Sequence, residues 1–168
     1  MLSSSTRGFL NHKSPSLRAR GAKLEISGKT LLNAQNELHS GLYQVALQYA
    51  RVNDYDAART NFRHLTASYP AACKCWVSWA QMEKRVGDTN SLDRCREVLQ
   101  RGLELNKQSA CIMQAWGLLE LQQGNFLPAL KMLERAAMMH PNCSPVLKWE
   151  QVATARKTVS SKKSRASA

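Results

Sequence analysis

The sequence predicts an all-α fold, a short α-α solenoid in which helical hairpins stack side by side. The first observation is an internal repeat: residues 76–87, W-V-S-W-A-Q-M-E-K-R-V-G, align with 113–124 after a shift of 37 and with 42–53 after a shift of 34. The second is that apolar residues within each copy recur at the spacing of one helix face. The third is a turn signal after each copy, followed by a second helical pattern. A period near 34 residues therefore predicts stacked helix–turn–helix units.

The first helix of each unit combines bulky apolar residues with a small residue, and in two units also with a glutamate. A tryptophan at helical spacing beside a small residue is typical of packing between stacked helices, so we predict the tryptophans to be core. We expect each glutamate to form a structural hydrogen bond or ion pair that positions neighbouring helices. The positions predicted to form the structural core of the repeats are Trp76, Trp79, Glu83, Gly87, Trp116, Gly117, Glu120, Gly124, Ala129 and Pro141.

Turns and breaks define the second helix of each unit. Gly87-Asp88 and Gly124-Asn125 are turn dipeptides, in which Gly can take the positive φ that ends a helix. Pro128 lies in the first turn of a second helix, where its missing N–H costs little. Tyr69-Pro70 and His140-Pro141 then end the second helices of the first and third units.

The predicted domain organisation follows from these boundaries. Three repeat units occupy a domain that also includes a last helix, which caps the third unit, and a separate capping helix precedes them. The segments are a transit-like or disordered basic arm at 1–28, the N-terminal capping helix at 29–40, a repeat domain at 41–157 with units at about 41–70, 71–107 and 108–141 and a capping helix at 144–157, and a disordered basic tail at 158–168.

Positive charge is concentrated at the two ends of the chain. The formal net charge is +12, and nine of these charges belong to residues 1–40 and 156–168. The first 24 residues contain five Ser, five Lys or Arg and no acid, which fits an organellar transit peptide; a basic arm that stays attached is the alternative. The serine content favours a chloroplast over a mitochondrion. The Lys-rich tail could also be a nuclear-localisation cluster.

Composition argues against several classes of protein. Five cysteines form no paired framework, which indicates reduced thiols, and Cys73 and Cys75 have no second pair to complete a zinc site. No window approaches roughly 18 uninterrupted apolar residues, so we expect no membrane span. The four histidines are scattered, and no second titratable group recurs beside the repeated glutamates. We therefore expect no catalytic residues, metal, cofactor or small-molecule substrate, and hence no enzyme.

Two units resemble known helical repeats. Residues 116–141, W-G-L-L-E-L-Q-Q-G-N-F-L-P-A-L-K-M-L-E-R-A-A-M-M-H-P, resemble the tetratricopeptide (TPR) repeat, and W-x-x-W-x-x-x-E-x-x-x-G at 76–87 resembles the half-a-tetratricopeptide (HAT) variant. The first unit departs from this pattern, with Val45 and Tyr49 where Trp79 and Glu83 stand. HAT arrays occur mostly in RNA-processing factors. The resemblance, with the transit-like arm, implies a plastid factor that matures or stabilises mRNA.

One repeated position outside the core is polar. Arg51, Arg85, Gln122 and Arg156 are spaced 34, 37 and 34 residues apart, so they occupy one position near the end of each first helix. Equivalent positions of a solenoid line one face, and Arg and Gln suit phosphate and base-edge contacts. A solvated row at helix C-termini is the alternative. The RNA-binding candidates are Arg51, Arg85, Gln122 and Arg156, together with Lys84, Lys74, Gln81 and Gln114.

Two functions remain open at this point. One is a non-catalytic organellar scaffold that binds single-stranded mRNA, within a larger complex because the repeat domain is only mildly basic. The other is a TPR-type adaptor that binds protein partners in an organellar or nuclear complex. Basic residues of the second helices alternate with acids, so we expect them to form a solvated outer face: Arg59, Arg63, Arg94, Arg96, Arg101, Lys131 and Arg135.

Overall fold

The computed structural model describes residues 28–166, and this range contains helices and no strand. The predicted all-α solenoid is confirmed. Nearly all of the predicted transit-like arm lies outside the described residues. The elements are α1 Gly28–Arg51, α2 Tyr55–Ser68, α3 Cys73–Val86, α4 Ser91–Leu105, α5 Ala110–Gln122, α6 Phe126–Met139, a 3₁₀ helix Pro141–Lys148 and α7 Glu150–Ala166.

Three helical hairpins stack into two layers. The pairs α1–α2, α3–α4 and α5–α6 pack as hairpins. The first helices form one layer, because α1 contacts α3, α3 contacts α5 and α5 contacts α7. Each second helix also packs on the next first helix: α2 on α3, α4 on α5 and α6 on α7. Each unit therefore contacts only its neighbours, as in a solenoid.

The turns inside the hairpins have the backbone conformation that the sequence predicts. Gly87 and Gly124 have φ values of 76° and 77°, in the left-handed region that favours glycine. The first unit has Asn53 at this position, with φ 62°, and asparagine is among the few other residues that adopt this conformation readily. Asp54 then caps α2, since its carboxylate accepts a hydrogen bond from the Ala57 N–H at 3.1 Å.

Bulky and small side chains interlock between the helices. Trp76 is buried, and its indole N–H donates to the Pro70 carbonyl at 2.8 Å. Its ring stacks near that of Trp79, with centroids 6.3 Å apart. Gly117 lies against buried Leu133: a Cβ on this glycine would approach the leucine side chain to 2.9 Å. The α5–α6 hairpin therefore depends on glycine for its close approach.

The N-terminal boundary differs from the prediction. A capping helix at 29–40 and a new helix from residue 41 were expected, but α1 is one continuous helix from Gly28 to Arg51. Gly41 is the only helix breaker in its interior, and a single glycine costs a helix roughly 1 kcal/mol, which does not suffice to break it. The first helix of the first unit is therefore longer than α3 or α5.

The C-terminal boundaries also differ. The expected capping helix at 144–157 is divided into the 3₁₀ helix and α7, and Pro145, which has no N–H to donate, lies within the 3₁₀ segment. The tail predicted to be disordered from residue 158 is helical to Ala166. Val159 packs against the core of the third unit. The hydroxyls of Ser161 and Ser164 bond back to carbonyls one turn earlier.

Candidate functional site

A groove runs between the first helices α3 and α5. It encloses a cavity of about 360 Å³. Its floor is apolar and comes from both helices and from α4 beneath them: Val77, Ala80, Leu99, Ala115, Leu118 and Leu119. An apolar floor in an open concave surface is the usual character of a ligand-binding cleft.

The polar lining of this groove is dominated by side-chain amides. Gln81, Lys84, Gln114 and Gln122, four of the eight predicted binding residues, line the cavity. Lys84 is the only charged residue of this lining, and its ammonium contacts the Gln122 side-chain oxygen of α5. The groove therefore offers the hydrogen-bond donors and acceptors of the side-chain amides, together with one positive charge.

The groove continues from α5 towards α7. A second cavity of about 170 Å³ shares Leu118 and Gln122 with the first and adds Trp149 and Gln151. The Trp149 side chain is 47% exposed, so an aromatic surface is accessible at this end. Together the two cavities form a strip along three first helices, which we call the first-helix groove. Its amides are Gln81, Gln114, Gln122 and Gln151.

The remaining predicted binding residues lie elsewhere. Arg51 and Arg85 are exposed, and their side chains have no hydrogen-bond or ion-pair partner within residues 28–166. Arg156 contacts Glu134 of α6 at 3.2 Å and the Leu147 carbonyl at 3.4 Å. Lys74 lies over the ring of Tyr43, with its ammonium 4.8 Å from the centroid. These cations therefore have separate surroundings and do not line the groove.

The first of the two repeated glutamates is at the centre of a hydrogen-bond network. Glu83 is only 2% exposed, and both its oxygens accept from the Arg59 guanidinium at 2.9 Å. Arg94 donates to the same carboxylate at 2.8 Å, and the Trp79 indole donates at 3.0 Å. Such bidentate, charge-assisted contacts offset the cost of burying the carboxylate. The network ties α2, α3 and α4 together.

The second glutamate repeats this arrangement one unit later. Glu120 accepts from Arg96 at 2.8 Å, from the Trp116 indole at 3.1 Å and from the Asn125 amide at 2.5 Å. Burial by itself raises the pKa of each glutamate, but the donated hydrogen bonds outweigh it, so both carboxyls have a pKa below the ordinary value. Both are therefore ionised, structural groups at neutral pH.

Three of the basic residues expected on a solvated outer face lie in these networks. Arg59, Arg94 and Arg96 have side chains 24%, 28% and 32% exposed and are ion-paired to the buried glutamates. A sequence signal for two of them exists: Arg59 and Glu83 are 24 residues apart, as are Arg96 and Glu120. Basic and acidic residues are interspersed along α2 and α4, so an acid of the same helix was the expected partner of each arginine.

The two tryptophans in these networks are engaged within the protein. Trp79 donates to Glu83 and its ring lies parallel to that of Phe62, with centroids 6.3 Å apart. Trp116 donates to Glu120 in the same way. Both indole N–H groups therefore bond within their own helix, and the Trp79 ring packs against α2.

One of the two thiols that line the groove is buried among apolar side chains. Burial raises the pKa of the Cys95 thiol to about 11, so it is protonated at neutral pH and is a poor nucleophile. Within residues 28–166, no three side chains of the His, Cys, Asp and Glu types lie close enough to hold a metal ion. In the same range, none of the helices has the length and apolar character needed to cross a membrane.

Comparisons with known proteins reach only the level of the fold. No protein-family model matches the chain, and no curated protein matches it. A solved structure of the Yersinia enterocolitica type III secretion chaperone SycD, in complex with a peptide of the translocator YopD, is similar with a TM-score of 0.55 and 18% identity over 83% of this chain and 98% of that chain. A second structure, of the translocator chaperone SycD from the same organism, has a TM-score of 0.49 and 18% identity over 86% of this chain and 90% of that chain. The first likeness shows a TPR-like helical-repeat fold.

Proposed function

We propose that this protein is a non-catalytic adaptor that binds an extended segment of a partner protein in the first-helix groove. The observation that carries the proposal is the composition of the groove, which has an apolar floor, four amides and a single lysine. The similar chaperone structure contains a peptide of another protein, which supports this choice.

The side chains of the groove match the chemistry of a peptide. A glutamine amide both donates and accepts, so Gln81, Gln114 and Gln151 can hydrogen-bond the N–H and C=O groups of an extended backbone. The Gln122 oxygen accepts from Lys84, and its NH₂ group can donate to a backbone C=O. Alternate side chains of such a peptide point to the same side and would enter the apolar floor. Lys84 favours an acidic side chain in the ligand. We therefore infer a preference for extended, apolar segments that contain an acidic residue.

A peptide-selection experiment tests this proposal. Random nonapeptides displayed on phage are selected on the full chain, and the affinity of the recovered peptides is measured by fluorescence anisotropy. Gln114→Ala removes one amide and should weaken binding roughly five- to tenfold, as expected for about 1 kcal/mol per hydrogen bond. Lys84→Glu should turn the preference from acidic to basic peptides.

The matched control is Gln100→Ala, which removes an exposed glutamine of α4 that contacts Glu104 and lies outside the groove. It should leave the affinity unchanged. If no peptide is selected, or if Gln114→Ala and Lys84→Glu bind like the wild type, the groove is not the binding site and the proposal fails.

Organellar RNA binding is the second candidate, favoured by the charge of α7. Residues 156–165 of this helix carry five Lys or Arg and no acid. The measurement is the affinity of the full chain for an oligouridine, as a function of salt. If the RNA contacts the repeated position near the end of each first helix, Arg51→Ala, Arg85→Ala and Arg156→Ala should each weaken binding. If only substitutions at Lys162 and Lys163 weaken it, these arginines do not contact the RNA.

The compartment is a separate proposal. We propose a chloroplast location, with the mitochondrion as alternative and the nucleus less favoured, on the composition of residues 1–28. A fluorescent protein fused after residue 168 should accumulate in plastids. A fusion of the same kind that lacks residues 1–28 should remain outside them. Nuclear accumulation of both fusions would contradict the proposal.

A further inference from the structure

One face of α1 is both apolar and exposed. Leu38, Val45 and Val52 are 59%, 45% and 60% exposed, and Tyr49 is also exposed. These four residues and Gly41 lie within about 40° of one direction around the helix, since each residue advances by roughly 100°. A contiguous exposed apolar patch on a protein surface commonly marks an interaction surface. We call these five positions the α1 face.

The equivalent surface is covered in the other two units. Shifts of 34 and 37 place Gly41 at Cys75 and Ile112, which are fully buried, and Val45 at Trp79 and Trp116. On α3 this surface is covered by α2, and on α5 by α4. In the part of the chain that the structure describes, no second helix precedes the first unit. Within residues 28–166, the α1 face is therefore a helix-packing surface without its helix.

The α1 face is complementary to itself. When two copies of α1 pack antiparallel with Val45 at the centre, positions whose numbers sum to 90 lie opposite each other. Leu38 then meets Val52 of the second copy, and Tyr49 meets Gly41. The space at Gly41 is open, because a Cβ built there meets no atom within 4 Å. The tyrosine of each copy thus enters the gap at the glycine of the other.

Charges at the flank of the face agree with this arrangement. Glu37 and Arg51 lie on the same side of the α1 face, and both are exposed. In the antiparallel pair, Glu37 of one copy lies at nearly the same height as Arg51 of the other. The twofold symmetry makes this contact twice. Neither side chain has an ion pair within residues 28–166, so both are available for it.

We propose that the chain forms a homodimer through the α1 face, with two α1 helices packed antiparallel about Val45. The proposal concerns a surface separate from the first-helix groove and does not depend on the proposed function. The dimer joins the first units of two solenoids, so that each copy of α1 covers the α1 face of the other.

The oligomeric state of the full chain tests the proposal. Sedimentation equilibrium between about 1 and 100 µM, a range set by ordinary dimer affinities, should show a monomer–dimer equilibrium. Gly41→Gln fills the gap that receives Tyr49 and should raise the dissociation constant at least tenfold. The matched control Ser40→Gln places the same side chain one residue earlier, about 100° away from the face, and should leave the constant unchanged.

A charge exchange tests the register. Glu37→Arg and Arg51→Glu should each weaken the dimer severalfold, and the double variant should restore it. Circular dichroism checks that each variant keeps the helix content of the wild type. A wild type that is monomeric throughout the range overturns the proposal and leaves the face to another occupant, such as residues 1–27. A dimer that tolerates Gly41→Gln, or shows no rescue in the double variant, overturns the antiparallel arrangement about Val45.

Discussion

At the scale of single residues, each buried glutamate connects its own helix to neighbouring segments on two sides. Glu83 on α3 accepts from Arg59 on α2 and Arg94 on α4. Glu120 on α5 accepts from Arg96 on α4 and from Asn125, the residue that precedes α6. An ionised carboxylate can accept several hydrogen bonds at once, and a neutral side chain of the same size cannot match this. The carboxylates therefore hold the units in a defined orientation.

Removal of the Glu83 charge should destabilise the fold. Glu83→Gln keeps the volume but leaves two guanidinium groups without their shared acceptor, so we expect the free energy of unfolding to fall by roughly 2–4 kcal/mol. Urea unfolding followed by circular dichroism measures it. Glu97→Gln, at an exposed glutamate of α4, is the control and should change stability by less than about 0.5 kcal/mol. An equal effect of the two substitutions would show that the network contributes nothing specific.

The same carboxylates predict how stability depends on pH. Burial by itself raises the pKa of Glu83. Hydrogen bonds from Arg59, Arg94 and Trp79 together lower it by a larger amount, so the pKa in the folded state lies below the ordinary 4.5. As the pH falls, Glu83 is therefore protonated in the unfolded state at a higher pH than in the folded state. The stabilisation from its charge is complete well above pH 4.5 and is lost as the pH falls from 4.5 to the pKa of the folded state.

Urea unfolding at pH 7, 5, 4 and 3 measures this dependence for the wild type and Glu83→Gln. The wild type should lose stability steadily below pH 5, whereas the variant, which has no proton to bind at this position, should have a shallower slope. Parallel curves for the two proteins would assign the acid sensitivity to other groups.

At the scale of helices, close packing of α5 on α6 depends on Gly117. A methyl group here would meet the Cγ and Cδ2 atoms of buried Leu133 at 2.9 Å and Met132 Cβ at 3.2 Å. Gly117→Ala should therefore lower the free energy of unfolding by about 1–2 kcal/mol, since overpacking exceeds the gain in helix propensity. Gly102→Ala, whose new atom would meet Trp76 and Ile112 at 3.0 and 3.1 Å, should cost less. Higher stability of Gly117→Ala would refute this account.

The hairpins could be predicted because their positions repeat, whereas features that occur once could not. Turn glycines, the prolines that end helices and the apolar spacing recur in two or three units. A boundary that is ambiguous in one unit can therefore be placed by comparison with another. The continuous α1 and the 3₁₀ helix at Pro141–Lys148 have no second copy. For α7, the Ser- and Lys-rich composition indicated disorder. Packing of Val159 on the third unit is a tertiary contact that composition does not reveal.

At the scale of the whole molecule, α7 closes the solenoid at one end. Val152 and Ala155 are fully buried in the cluster that contains Leu121 and Leu130. Because each unit contacts only its neighbours, loss of α7 should affect the third unit first. The third unit is thus the part of the array whose stability depends directly on α7.

Hydrogen exchange can test this dependence. Val152→Asp buries a charge against the third unit and should release α7, with protection lost mainly in α5 and α6 and retained in α2 and α3. Thr154→Asp, at an exposed position of the same helix, is the control and should keep the wild-type pattern. Uniform loss of protection along the chain would indicate a single cooperative unit.

The candidate site was predictable in part, and the reason is again geometric. Gln81, Lys84, Gln114 and Gln122 were predicted as RNA-binding residues, and the structure places all four in one groove. What they bind stays a prediction. Trp149 and Gln151 were missed because the 3₁₀ helix sets the direction in which α7 begins. The contact of Arg156 with Glu134 could not be predicted either, because it depends on how α6 and α7 pack in three dimensions.

The 24-residue separation of Arg59 from Glu83 and of Arg96 from Glu120 has a consequence for insertions and deletions. Both links between units, 69–72 and 106–109, have four residues, whereas the turns within the hairpins have three, four and three. One residue inserted inside a helix between the arginine and the glutamate would turn one partner by roughly 100° away from the other. Homologous chains should therefore vary in length at the links and hairpin turns and keep these helical segments constant.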